Sequence, residues 1–293
     1  MRYYMYTDAK GKKWFKGNLH THTTVSDGKR SPEEVIALYR ENGYDFLALT
    51  DHWKLSRTEM QENILLLSGC EYNFNLRARD GIYHIVGIGM ERDPAPDRDG
   101  TAQQCVDAIH AVGGYAILAH PAWSLNTPAQ IKALSGIDAT EIYNSVSGLP
   151  RNCRPYSGAV LDMLAVEGYC LPLVASDDTH FYIEADMCRS YTMVQADECT
   201  PEAILAALRA GKFYATQGPR IDVETEGRIL RVHTTPAQSV VCYTDTAWET
   251  HRAEVGDGIT EAEFTMGSAV SVARIEVTDA EGNTAWSGYY RFD

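Results

Sequence analysis

Long apolar runs are missing from this 293-residue chain. Stretches such as Ile64–Leu67 and Ala116–Ala119 stop far short of the ~20 residues that a membrane-spanning helix needs. The opening MRYYMYTDAKGKK holds no signal-peptide core, so a cytoplasmic protein without membrane association is expected. Basic residues are also scarce. Twenty-six Lys and Arg against 40 Asp and Glu leave a net charge of −14, which excludes a surface built to track long nucleic acid, though not a local positive site. The seven cysteines are scattered and form no C-x-x-C pair, so neither a disulfide framework nor a cysteine zinc ribbon is signalled. No internal repeat or low-complexity tract is present. What remains is ordinary for a globular protein: 44% hydrophobic and 23% charged residues. At ~150 residues per domain, this length predicts one large domain or one with a small appendage.

From about Lys16 to Gly211, short apolar runs alternate with amphipathic stretches that open on capping residues, the pattern of repeated βα units. Ser31-Pro32-Glu33-Glu34 reads as N-cap, helix-opening proline and capping box, with the helix ending at Gly43. Thr101–Val112 and the stretch from Thr200-Pro201 to Gly211 read the same way. The strand candidates Phe46–Thr50, Ile64–Ser68, Tyr83–Gly89, Tyr115–Ala119, Thr140–Tyr143 and Leu171–Ala175 are apolar with little alternation, as in parallel strands covered on both faces. Most end beside His, Asp, Glu or Asn, which gathers the chemistry at the carboxyl ends of the strands. Past Gly218-Pro219 the pattern changes. Arg274–Thr278 alternates strictly and Asp279–Gly282 reads as a hairpin turn, so residues 219–293 predict a small antiparallel β domain appended to a unit spanning 1–218.

The histidines carry most of the functional signal. His20 and His22 are two apart, which in extended chain turns both imidazoles to one face, where they can meet one metal ion. Asp27 follows in a Ser-Asp-Gly turn whose Gly28 lets the backbone curl back. Thr50-Asp51-His52 closes one strand, and Ser68-Gly69-Cys70-Glu71 closes another with a carboxylate able to bridge two cations. His84 lies on the next strand, Ala119-His120-Pro121 ends the one after, and Asp178 and His180 again stand two apart. Six of nine histidines and three carboxylates thus occupy comparable places in successive units. Any one alone reads as a hydrogen-bonded structural residue; together they predict a metal centre, since six imidazoles converging on one rim would otherwise be unexplained polar burial. His110, on a helix, and His233 and His251, in the tail, are assigned no chemistry.

The ordered set H-T-H, T-D-H, G-C-E, H-I-V-G-I-G, A-H-P and D-D-T-H resembles the PHP (polymerase and histidinol phosphatase) family over roughly residues 14–218. That resemblance implies a distorted (β/α)7 barrel, three divalent ions and phosphoesterase activity. It also implies the ligand sets. One ion would be held by His20, His22, Glu71 and Asp178, a second by Glu71, His84 and His120, and a third by Asp27, His52 and His180. Mixed His and carboxylate ligands suit Zn, Mn or Fe.

Three divalent ions would outweigh the three carboxylates by three charges, which favours a phosphate ester even on an acidic protein. The expected reaction is attack of a metal-bridging hydroxide on a small phosphorylated substrate, with Glu71, Asp178 and His180 as the catalytic residues. Hydrolysis of a carboxyl or carbamate ester is the alternative chemistry, and a metal-stabilised binding scaffold the non-enzymatic one. Arg189 is a candidate phosphate fork or else a surface ion pair; Asn144 contacts substrate or closes a turn; Lys54 reaches the mouth or is simply exposed. Asp51 and Asp177 adjoin ligands but point the other way in extended chain, so supporting roles are expected for them.

Overall fold

The computed structural model describes residues 6–8, 10–182 and 186–292. The helices after Ser31, Thr101 and Thr200 begin where the capping signals put them. Ser31 accepts from the Glu34 N–H while the Glu34 carboxylate takes the Ser31 N–H, and α1 (Pro32–Glu41) follows. Thr101 with Gln104 and Thr127 with Gln130 repeat that box at α2 (Ala102–Ala111) and α3 (Pro128–Lys132). After α4 (Gly158–Val166), Thr200 caps α5 (Pro201–Arg209).

The strands form two sheets. In the first, β1 (Lys13–Asn18), β2 (Phe46–Ala48) and β3 (Ile64–Leu67) pair in parallel. Gly17 permits the β1–β2 contact, because a Cβ there would lie 2.0 Å from the Phe46 ring. The second sheet holds β4 (Gly69–Phe74), β5 (Tyr83–Ile88), β6 (Tyr115–Leu118), β7 (Ala139–Asn144) and β8 (Leu173–Ser176), in the order β8-β7-β6-β5-β4. Here β6–β7 and β7–β8 are parallel, but β4–β5 and β5–β6 are antiparallel.

The fold is therefore mixed α/β and dominated by sheet; no closed barrel is seen among the described residues, so the expected distorted (β/α)7 barrel is not confirmed. A parallel crossover needs a dozen or more residues, usually a helix. Between Phe74 and Tyr83 the chain makes only a 3-10 turn at Ala78–Asp80, so β5 returns antiparallel beside β4. Across the seams the sheets meet through single bridges, Thr21 with Thr179 and His52 with Glu71.

β9 (Tyr191–Gln195) pairs with the other edge of β1, and β10 (Phe213–Thr216) with β9. The later strands include β11 (Ile221–Glu226), β12 (Ile229–Thr244), β13 (Ala253–Thr265), β14 (Val272–Thr278) and β15 (Thr284–Trp286). All are antiparallel, as the alternation past residue 219 predicts, and the β10–β15 pair joins them to the first sheet.

One core spans both sheets. Phe46 and Leu67 from the first pack with Val86, Ile117 and Val174 from the second, and Ile204 and Leu208 of α5 close the cluster. Each such side chain contributes roughly 1.5–3 kcal/mol on burial. α2 and α4 cover the second sheet through Val106, Ile109, Leu161 and Leu164, in a cluster that also takes Trp286 from β15. Arg274 of β14 is fully buried beside them. Its Nε and Nη2 donate to the two Asp162 oxygens of α4 at 2.6 and 2.7 Å, its Nη1 donates to Glu276, and its Nη2 donates to the Tyr156 hydroxyl at 3.0 Å. No described helix is long and apolar enough to cross a membrane.

Candidate metal centre

The strands and the loops that follow them bring the nine sequence-identified donors together. His20 and His22 follow β1, His52 follows β2, Glu71 and His84 lie within β4 and β5, His120 follows β6, and Asp178 and His180 follow β8. The Thr21–Thr179 bridge, flanked by the Asp178 N–H donating to His20 O at 2.9 Å, locks the first pair against the last. Gly28 shapes the turn that brings Asp27 back. A Cβ there would meet the His22 carbonyl at 2.8 Å, so space rather than backbone handedness calls for glycine.

The donors sort into three groups whose ligand atoms lie within 4.8 Å of one another: His20, His22, Glu71 and Asp178; Glu71, His84 and His120; His22, Asp27, His52 and His180. In the first, the two Nε2 atoms are 3.2 Å apart and each lies 3.0–3.2 Å from Glu71 Oε2 and Asp178 Oδ1. A tetrahedron with arms of 2.0–2.1 Å has edges of about 3.3 Å, so this set fits one small divalent ion. Glu71 then divides its carboxylate. Its Oε1 faces the second group, 2.7 Å from His84 Nδ1 and 3.7 Å from His120 Nε2. In the third, His180 Nε2 is 3.4 Å from Asp27 Oδ2, and His22 joins through Nδ1, 3.6 Å from Asp27 Oδ1.

Two buried atoms test the fit further. Asp178 Oδ1 and His52 Nδ1 have no hydrogen-bond partner, although imidazole nitrogens stand 3.1 and 3.2 Å from the former. Leaving such an atom unpaired costs about 1–3 kcal/mol, and a cation in each atom's own group would satisfy it. Asp178 and His120 also adopt left-handed φ values of +52° and +31°, strain of the kind that accumulates at functional sites.

Electrostatics point the same way. Burial alone lowers the affinity of His20 and His22 for protons and raises that of the carboxyls, yet the opposing charges win. His22 is raised to about 9 by Asp178 and Glu71, while the imidazoles of His20, His84 and His52 hold Glu71 well below the usual carboxylate range. The cluster draws positive charge into its centre, as protons or as a metal.

Supporting residues fix the donors. Asp51 and Asp177 do point away, as their spacing implies. Asp51 accepts from the backbone and side chain of Thr23 and of Ser26, which sets the loop to Asp27. Asp177 accepts from Asn18, Tyr39 and Ser145 side chains and from the N–H groups of residues 188–190. Glu141 carries no signal in the sequence, because it stands in β7 with no histidine beside it. Its Oε1 meets His20 Nδ1 at 2.9 Å, and its Oε2 accepts from the His120 N–H and the Asn144 amide. That bond leaves His20 Nε2 facing the other donors.

The weaker candidates are placed differently. Asn144 is buried, and its amide donates to Glu141 and Asp178 Oδ2 rather than lining the cleft. Arg189 is exposed and does not line it; Lys54 lines a neighbouring groove instead. The side chains that do form the wall, over a cleft of about 430 Å³, are Trp123, Val146, Ser147, Arg151 and Asn152, all on loops where no periodicity marks them. His110, His233 and His251 lie elsewhere and pair with Asp138, Glu261 and Glu254. His110→Ala is therefore expected to leave bound metal, by elemental analysis, within about 10% of the parent; a loss of one equivalent would mean the centre is misplaced.

The model of the PHP domain matches residues 18–187, which carry all nine donors. The chain belongs to the PHP domain family. A solved two-domain protein from Bacteroides vulgatus ATCC 8482, described as containing a predicted PHP-like metal-dependent phosphoesterase, shares the fold over 93% of this chain and 92% of its own, with a TM-score of 0.57 and 17% identity. The likeness to this PHP-containing structure thus extends through the C-terminal strands. A 5'-3' exoribonuclease of Haemophilus influenzae (strain ATCC 51907 / DSM 11121 / KW20 / Rd) is 36% identical over 83 residues, 26% of this chain. The match spans only 30% of that enzyme's length.

Proposed function

We propose that this PHP protein is a metal-dependent phosphoesterase that hydrolyses a small phosphorylated substrate. The observation that carries the reading is the divided Glu71 carboxylate, with one oxygen against His20 and His22 and the other against His84 and His120. The residues fit three divalent ions of the Zn, Mn or Fe type. His20, His22, Glu71 and Asp178 would hold one, Glu71, His84 and His120 a second, and Asp27, His52 and His180 a third. Such ions supply Lewis acidity and acidify water that they bind. The chain's own part is to hold that constellation rigid, through Glu141, Asp51 and Asp177, and to shape the cleft. Glu71, Asp178 and His180 are the residues we assign to catalysis, since they stand between groups or at the mouth.

Thiol chemistry is disfavoured beside the site, because burial pushes the Cys70 thiol up to about 12. A cleft of about 430 Å³ suits a small ester rather than a long polymer. We assign the centre to an N-terminal unit of residues 1–218, with 219–293 accessory, and the location to the cytoplasm.

A substrate panel tests the reading. Protein loaded with Mn or Zn is expected to hydrolyse p-nitrophenyl phosphate or its bis ester, to lose at least ~90% of that activity on chelation, and to regain it with metal. Cleavage of p-nitrophenyl acetate with both phosphate esters untouched would contradict the proposal.

A further inference from the structure

We infer that Arg151 binds a second, non-reacting oxyanion, so that the preferred substrates carry an anionic group besides the scissile phosphate; this rests on the phosphoesterase reading above. Among the described residues that line the cleft, Arg151 is the one Lys or Arg, set against the carboxylates of Asp27, Glu71 and Asp178. It makes no ion pair with any described carboxylate, although Asp27 lines the same space. Its guanidinium lies 3.8 Å over the Tyr182 ring. Tyr182 is itself fastened, its hydroxyl donating to the Asp27 carbonyl at 2.8 Å and its ring stacked on His180 at 5.6 Å. His180 in turn stacks on His22 at 4.1 Å.

That column sets both the orientation and the depth of the cation. Stacking occupies a face of the planar guanidinium and leaves its N–H edge available, the edge that forks onto a phosphate or carboxylate. Three stacking steps separate it from His22, which belongs to the floor where a reacting phosphoryl would sit. The guanidinium therefore stands at the outer part of the cleft, where the remainder of the substrate lies. Neighbouring donors are committed, since the Ser147 hydroxyl donates to Asn144 and the Asn152 amide to the Val146 carbonyl. On the inner side, Trp123 sets its ring 4.9 Å from that of His120 and offers an apolar face to an uncharged linker.

The test uses matched pairs that differ in the second anion: glycerol 3-phosphate with 3-phosphoglycerate for a carboxylate, and fructose 6-phosphate with fructose 1,6-bisphosphate for a phosphate. For metal-loaded parent protein, kcat/KM is expected to favour the second member of at least one pair by about tenfold or more, and the favoured pair identifies the anion. In Arg151→Gln that ratio should fall to within about twofold, and Arg151→Lys should keep part of it. Calorimetry with the same compounds gives a readout independent of turnover, and the loss of affinity should again be confined to the two-anion members. If parent protein cleaves none of the four but calorimetry shows the Arg151-dependent preference, the phosphoesterase reading fails and the anion assignment stands. If parent protein prefers neither member, or Arg151→Gln weakens both members equally, the assignment is overturned.

Discussion

Glu71→Gln is expected to lower phosphoesterase turnover by more than about 100-fold and to reduce the metal bound per chain. Losing an outer partner of a ligand typically costs 10–100-fold in affinity or activity, and Glu71 acts more directly than that. Its two oxygens face two donor groups, so the amide replaces an anionic oxygen with an N–H2 in one of them. Fully buried among His20, His22, His52 and His84, the side chain cannot swing out to water. Elemental analysis of protein purified and dialysed beside the parent reads the metal, and p-nitrophenyl phosphate hydrolysis reads the turnover. Full metal with full activity would show that Glu71 divides nothing. Loss of metal should come without unfolding, because the hydrophobic clusters on both sheets do not depend on this residue; an unchanged far-UV circular dichroism spectrum checks that.

Arg274→Ala is expected to destabilise the protein by about 3 kcal/mol, or roughly 5 °C in melting temperature, while leaving the metal content intact. The guanidinium is completely buried and serves Asp162 on α4, Glu276 on β14 and the Tyr156 hydroxyl. Removing it leaves two carboxylates without their cation. Asp162 is 30% exposed, so water recovers part of its charge, and the expected loss lies at the low end of the range for a broken buried pair. Arg274→Lys should fall between, since an ammonium cannot reproduce the paired bonds to Asp162 at 2.6 and 2.7 Å. A urea midpoint within error of the parent would mean that this contact between the C-terminal strands and α4 adds nothing.

These two residues also mark what the sequence reveals and what it hides. The donors were legible because metal chemistry demands His and carboxylate at strand ends, and the two-residue spacing of His20 with His22 and Asp178 with His180 turns each pair to one face. The helix starts at Ser31, Thr101 and Thr200 were legible because capping is local. Strand direction was not. Nothing in Tyr83–Ile88 says that it runs antiparallel to Gly69–Phe74; only the short connection between them does, and the structure accordingly supports a mixed α/β fold without confirming the barrel. Glu141 is hidden because no histidine stands beside it in its strand, and Arg151 and Trp123 because their loops have no period. The Arg274–Asp162 pair joins positions 112 apart, which no local pattern connects.

The central claim is that donors scattered from His20 to His180 form one cage for several cations. Anomalous diffraction at the metal edge, on crystals of Mn- or Zn-loaded protein, measures this directly. The account predicts anomalous peaks within bonding distance of His20, His22, Glu71 and Asp178, of Glu71, His84 and His120, and of Asp27, His52 and His180. Fully loaded protein whose anomalous peaks all lie elsewhere would contradict it.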